Sequence, residues 1–590
     1  MRTPAARVSP PALALWTALL LSWPGGKGLL AQVVVSRVTD DAPGAGACVD
    51  PTTLQNPSPD VNNMPQAEVA IAVSGQGLLA AVAKDYRYSP IDDTTYNNRV
   101  WNGLYLSGDG GQSWTNGLFE GSNPNIGIEG VTRGDLGQAA GQTIRLTHES
   151  DPVVEFDRDG NLYTCALAFE PDPPSEVLEP SPGAVVVSRL TPDGRPVEGA
   201  SHLIGLEADP RLFNDKNWIA VDRTAPVEST IVVASWRLFV YSETPPALEG
   251  GYVAVSGDGA ASFGSPIRLP IPLAVARMTQ FFQPLLGPDP QTGHKTLYVV
   301  FRVTSQTDSQ MALHVIKADL DGVGSGTVAL QERLENPSAW TYLPAGLAGV
   351  FTIGSEGYDG SFRFGSYFMP AIDAETGHLY VVFHTLDPVT QLSWVMVSRS
   401  TDGGVTWSQP VPVDPAPRGY QILPTLAVHG GLVSVVWYDS RNDAGFAPLV
   451  RIGGLDVYYA ELDSELRTAR VLRLTPETQH ADHPVFTRPR PVYSSEDRPP
   501  GPHDATLPPW AFERRLPVRA QGEADVQRAQ DCESERYGFI GDYIGLAADA
   551  NAAYAAWTDL RDLVLDADVC AGHSCNGRRN QNIYVARIAK

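Results

Sequence analysis

Three short segments place a carboxylate two residues before a guanidinium: Asp85-Tyr86-Arg87, Asp439-Ser440-Arg441 and Asp559-Leu560-Arg561. The last two follow Trp437 and Trp557 in the form W-x-D-x-R. Four more acids, Glu68, Asp151, Asp215 and Asp542, each stand where an apolar run begins. Guanidinium groups suit anionic ligands, and clustered carboxylates suit proton transfer or Ca²⁺ ligation. Both sets also have a structural reading. Each Asp of D-x-R can hold its own Arg or cap its loop, and the acidic run starts can cap turns. Cys570 and Cys575 flank His573 in a Gly- and Asn-containing loop. One His and two Cys are an incomplete metal set, so the spacing predicts a small disulfide ring.

The elements that must position these groups repeat through the chain. Seven times the sequence gives a short strand, a Gly or Asp turn and a second apolar strand. The first strands begin near Glu68, Asp151, Asp215, Gln283, Met369, Gln421 and Asp542. The second strands are read at Leu78–Val82, Leu162–Phe169, Ile231–Trp236, Leu297–Phe301, Leu379–Phe383, Leu432–Trp437 and Ala552–Trp557. A third strand follows each, from Gly103–Leu106 in the first unit to Ile583–Ile588 in the last, and most are followed by a more polar fourth. Seven radial units of four antiparallel strands make an all-β propeller, with six blades as the alternative. The last unit runs out at Lys590, while Val33–Val38 is a strand with no unit of its own; pairing the two closes the ring. Strand parity then puts first-strand starts and second-strand ends on one rim. Arginines and carboxylates gather there, and the turns after the third strands lie on the other rim.

Those turns carry the most specific motif. Ser107-Gly108-Asp109-Gly110-Gly111-Gln112-Ser113-Trp114 and Ser400-Thr401-Asp402-Gly403-Gly404-Val405-Thr406-Trp407 match S-x-D-x-G-x-[ST]-W, and Ser256 to Phe263, with Asp258, is a near copy. Ser and Asp accept from turn N–H groups, Gly allows positive φ, and the aromatic packs between strands. The pattern resembles the Asp-box (BNR) repeat of the sialidase superfamily of β-propellers. That resemblance makes Ser107, Asp109, Gly111, Trp114, Asp258, Asp402, Gly404 and Trp407 structural. It also implies a glycosidase that holds an acidic sugar with three arginines. By resemblance, Arg87, Arg441 and Arg561 are the substrate-binding set, Tyr543 is the nucleophile, and Glu68 and Asp151 serve as base or acid. The family's early [FY]-R-I-P signature is missing; Tyr86-Arg87-Tyr88-Ser89-Pro90 is the nearest stretch. Without it, a propeller that binds glycan or protein at a cell surface without catalysis stands as the alternative. No cofactor is required by either reading, and Ca²⁺ remains a candidate ligand of the acids.

The whole chain supports an exported acidic protein. Its 590 residues carry 43 Lys+Arg against 67 Asp+Glu, a net charge of −24 that repels phosphate backbones and sets nucleic acid aside. Arg2 and Arg7 precede an apolar stretch from Pro11 to Trp23, too short for a bilayer but suited to a signal peptide over residues 1–31. No other stretch is long and apolar enough to span, so the mature chain, residues 32–590, is expected outside the cytoplasm as a monomer. Cys165 reads as a buried thiol, and Cys48 with Cys532 as a long-range pair. From about 475 to 536 the chain is rich in Pro and charge. It is read as an insertion on the Arg-bearing rim, with His480 and His483 exposed.

Overall fold

The computed structural model describes residues 33–40, 66–85, 100–119, 138–139, 142–143, 146, 148–169, 183–207, 212–240, 249–272, 275, 279–304, 310–324, 326–352, 362–363, 368–387, 392–443, 454–480, 538–561 and 581–590. Seven four-stranded antiparallel blades follow one another around an axis. Their first strands are Gln66–Val73, His148–Phe156, Leu212–Val221, Thr279–Pro288, Phe368–Ile372, Gln421–His429 and Gly545–Ala548. Each first strand packs on the first strand of the next blade, and that of blade 7 packs on that of blade 1.

The ring closes as the sequence expects. Val33–Arg37 pairs antiparallel with Asn582–Ala589, with Val33 opposite Ile588 and Arg37 opposite Tyr584, and becomes the outer strand of blade 7. The closing strand also grips blade 1. Ser36 Oγ donates to the Gly111 carbonyl at 2.5 Å, Trp114 Nε1 donates to Ser36 Oγ at 3.2 Å, and Asn116 donates to the Val38 carbonyl at 2.9 Å.

The second strands explain why alternation is weak in this sequence. Each is covered on both faces by neighbouring blades, so Leu79–Asp85 and Ala552–Asp559 are buried almost throughout. Small side chains let the blades approach: Ala80, Ala81 and Ala83 in one strand, Ala552, Ala553, Ala555 and Ala556 in the other, are all at most 1 % exposed. Outer strands are more open: Pro196–Glu207 is mostly half-buried, with Glu198 and Gly199 exposed and only Ala200 and Ile204 buried.

Two features were not read from the sequence. A helix, Thr327–Glu335, joins the third and fourth strands of blade 4; it buries Leu330 and Leu334. Gln479–His480 pairs with Gly454–Leu455 as an extra strand of blade 6, so the first residues of the Pro-rich stretch, up to His480, run within a blade. Among the described residues no helix is long and apolar enough to cross a membrane. The expected signal peptide, the Cys570–Cys575 ring, Cys48, Cys532, His483 and Arg87 lie outside the described residues.

Candidate functional site

The inner strands are not straight. Their ladders with the second strands shift register between Ala67 and Ala70, Ser150 and Val153, Asp215 and Trp218, Gln280 and Gln283, and Ile422 and Thr425. In each bulge the first extra residue has positive φ: Glu68 at 56°, Asp151 and Lys216 at 51°, Phe281 at 57° and Leu423 at 49°. None of the five is glycine, and left-handed backbone costs such residues about 1–2 kcal/mol each. In blade 7 the left-handed residue is Gly541, at 97°; a Cβ there would come within 2.5 Å of the Glu68 nitrogen. The packed ring holds a strained conformation that isolated strands would relax.

The bulges of blades 1 to 3 supply charge. Lys84 Nζ, from the second strand of blade 1, reaches Glu68 Oε2 at 2.5 Å and Asp151 Oδ1 at 3.1 Å. Lys216 Nζ reaches Asp151 Oδ2 at 3.1 Å and also pairs with Asp542 of blade 7. Ser150 Oγ donates to Asp151 Oδ1 at 2.6 Å. Three acids and two lysines from four blades thus form one cluster at the rim where first strands start. Asp151 receives an ammonium on each oxygen. Glu68 receives one, on Oε2, and its fully buried Oε1 has no hydrogen-bond partner among the described residues.

That asymmetry separates the acids chemically. Burial, reinforced by the charges of Asp151 and Asp542, raises Glu68 to about 7 against the opposing pull of Lys84 and Lys216. Burial also works against ionised Asp151. There Lys216, Lys84 and the Ser150 hydroxyl prevail, and hold its carboxyl well below the usual carboxylate range. Near neutral pH one acid keeps its proton while its neighbour is charged.

The other expected site residues are placed differently. Tyr543 is buried; its hydroxyl donates to the Pro152 carbonyl at 3.2 Å, and Trp218 packs against it edge-on at 5.9 Å. Burial first, then Glu68 and Asp151, push its phenol well above the usual range. Asp215, grouped with the acidic strand starts in the sequence, sits one residue before the bulge and pairs in register with Arg237. The position equivalent to Glu68 and Asp151 belongs to Lys216.

Arg441 and Arg561 close on their own motifs. Asp439 accepts from Trp437 Nε1 at 2.8 Å, from the Arg441 backbone N–H at 2.9 Å and from its guanidinium at 2.5 Å. Asp414 takes the same guanidinium at 2.5 Å, and the group lies 4.0 Å above the Tyr458 ring. Blade 7 repeats the arrangement. Asp559 binds Trp557 Nε1 at 2.8 Å, Arg561 N–H at 3.0 Å and Arg561 Nε at 2.7 Å, with Tyr584 under the guanidinium at 4.5 Å. In blade 1 Asp85 accepts from Tyr105, at 2.7 Å. W-x-D-x-R is thus a module that ties a second-strand end to the third strand.

On the opposite rim the turns do what their residue types dictate. Asp109 Oδ1 accepts the N–H groups of Gln112 and Ser113, both at 2.9 Å, Oδ2 accepts the Ser113 hydroxyl at 2.6 Å, and Gly111 N–H donates to Ser107 Oγ at 2.9 Å. Asp258 and Asp402 are bound in the same way.

Sequence reasoning missed Lys84 and Lys216. A signal existed for the first: Lys84 is the one cation in the buried run Leu79–Asp85, and a buried cation needs a carboxylate. Lys216 follows Asp215 and carries no such mark.

No family model matches the chain, and no curated protein matches it in sequence. Solved structures that resemble it are sialidase-type β-propellers and related folds at about one residue in ten identical. A Dyadobacter fermentans protein of unknown function is 10 % identical over 94 % of this chain and 99 % of its own, with a TM-score of 0.39. An intramolecular trans-sialidase of Ruminococcus gnavus is 11 % identical over 90 % and 96 %, at 0.37. The chain spans about half, 54 %, of a Trypanosoma rangeli sialidase, which is 10 % identical over 89 % of this chain, at 0.35. Likeness of this degree concerns the fold and leaves the reaction to the site.

Proposed function

We propose that this chain is a glycoside hydrolase of sialidase type that releases a terminal acidic sugar at the Glu68–Asp151 pair. One observation carries the reading: a buried acid that keeps its proton to about pH 7 shares an ammonium with a carboxylate that stays ionised. Environments that push two carboxylates apart in this way assign an acid and a charge stabiliser. Glu68 donates its proton to the glycosidic oxygen as the bond to the sugar breaks. Asp151 faces the positive charge that develops on the ring carbon, water adds there, and its proton returns to Glu68. The best-exposed side chains of the cluster are its cations, Lys216 at 14 % and Lys84 at 13 %, against 6 % or less for the three acids, which favours an anionic group at the approach. Tyr543, resting on the Pro152 carbonyl, serves in this reading as a wall of the site.

The test is turnover. The secreted protein is offered a panel of fluorogenic sialosides and neutral glycosides, beside the E68Q variant. Release from a sialoside, lost in E68Q, is the expected result; turnover that E68Q leaves intact sinks the assignment. A second reading, a non-catalytic propeller that binds glycan or protein at a cell surface, draws on the closure of Arg441 and Arg561 onto their own acids. It predicts sialoside binding without release.

A further inference from the structure

We propose that Lys216 is a positioning residue that decides which of the two neighbouring carboxylates, Glu68 or Asp151, carries the proton of the site. The proposal rests on the assignment of those two acids as the reacting pair, and half of its test is independent of turnover.

The geometry gives the reason. Lys84 is shared, reaching Glu68 at 2.5 Å and Asp151 at 3.1 Å, and so does little to distinguish them. Lys216 is not shared between them. It contacts Asp151 Oδ2 at 3.1 Å and Asp542 on its far side, with no contact to Glu68 among those described. Lys216 therefore stabilises the anion of one member of the pair, and its field lowers the other less. Among the described residues the groups facing Glu68 are Lys84 from its own blade, Asp151 from blade 2, Lys216 from blade 3, and Asp542 and Tyr543 from blade 7. With Lys216 present, ionised Asp151 and Asp542 keep the proton on Glu68. With it removed, Asp151 loses half of its ammonium contacts, and the two acids become competitors for one proton and one lysine.

The bulge sets where the side chain goes. Lys216 occupies the bulge position at a φ of 51°, and there its ammonium bridges blades 2 and 7 from blade 3. Phe281 and Leu423 take the same left-handed bulge in blades 4 and 6, so the strain belongs to the ring, and what is particular to Lys216 is the charge it carries there. Asp542 works in the opposite direction, since its charge raises Glu68 while it competes with Asp151 for Lys216.

The experiment compares wild-type protein with K216M, K216R and D542N. The infrared absorption of the protonated carboxylic acid is titrated between pH 5 and 9 and assigned by its loss in E68Q or D151N. Wild type should show one acid that titrates near 7 and vanishes in E68Q. In K216M the band should titrate higher and its loss should be divided between E68Q and D151N; K216R should restore the wild-type pattern. D542N should move the midpoint down. In turnover, the alkaline limb of kcat/KM should follow the same shifts. An unchanged midpoint and assignment in K216M overturn the proposal, and so does a D542N midpoint that stays or rises. D542N also decides the matter if K216M fails to fold. If no glycoside is turned over, the infrared titration still decides the role of Lys216, while the hydrolase reading alone fails.

Discussion

The two rims of the propeller satisfy their acids in opposite ways. On the rim of the third-strand turns, Asp109, Asp258 and Asp402 are bound by hydroxyl and backbone N–H groups of the same turn, within four residues of themselves. On the other rim, Asp151 is held by Lys84, 67 positions before it, and Lys216, 65 after it, while Asp542 reaches across 326 positions to Lys216. An acid satisfied inside its own turn is saturated and rigid, and its chemistry is spent. An acid satisfied by other blades depends on how the ring assembles, and one such acid, Glu68, is left incompletely satisfied. The D-x-R motifs show that location on a rim is not the criterion. Arg441 and Arg561 stand on the cluster's rim, but each binds the Asp two residues before it.

If the comparison is right, substitutions on the two rims must separate activity from stability. The largest effect is expected at Glu68. E68Q should lower kcat/KM by about 10²–10⁴-fold, the usual worth of a general acid, with little change in melting temperature. A comparable loss of rate in D402A would erase the distinction between the rims.

Deleting residues 33–40 comes next. It removes the closing strand with its ladder to Asn582–Ala589 and its bonds to Gly111, Trp114 and Asn116. The melting temperature should fall by about 10 °C or more, and a scan that matches the full chain would mean the ring closes without it.

R441A and R561A should then cost about 3 kcal/mol each in denaturant unfolding, because Asp439 and Asp559 remain buried and lose their cation. KM for a sialoside should stay within about twofold. A tenfold rise in KM with unchanged stability would restore these arginines to the substrate.

D109A and D402A should lower stability by only about 1 kcal/mol, as loss of a turn cap does, and leave kcat/KM unchanged.

The pH dependence sharpens the same contrast. Glu68 binds its proton more tightly folded than unfolded, so its contribution to stability is present at low pH and is lost as pH rises from the unfolded carboxylate range, near 4.5, through about 7. Asp109 and Asp402 are shifted down: partial burial opposes their charge, but hydrogen bonds from Ser113 and Thr406 prevail. Their contribution is present at neutral pH and is lost below the ordinary carboxylate range. E68Q should flatten stability between pH 5 and 7, D402A only below about 4, and an exchange of those windows would contradict the placement of both acids.

Much of this molecule was written in short-range pattern. The seven repeats, the third-strand turns and the pairing of Val33–Arg37 with the last strand follow from which residues recur and which strand lacks a partner. The W-x-D-x-R module is equally local, although its composition alone could not tell a closed ion pair from an open clamp; the stacked Tyr458 and Tyr584 come from the next strand and settle the closure. The bulges were invisible. Glu68, Asp151 and Lys216 take left-handed φ without the glycine that would announce it, so Asp215 stood in the sequence where the ring places Lys216. The reason is energetic. A hydrogen bond two to four residues away has almost no chain entropy to overcome, so residue type nearly determines it. Strain of about 1–2 kcal/mol per bulge, and the sharing of two lysines among three acids from four blades, are set only when packed blades oppose the strand's local preference. The sequence by itself determined the wheel and its pinned turns, and the closed ring decided which acid would keep a proton.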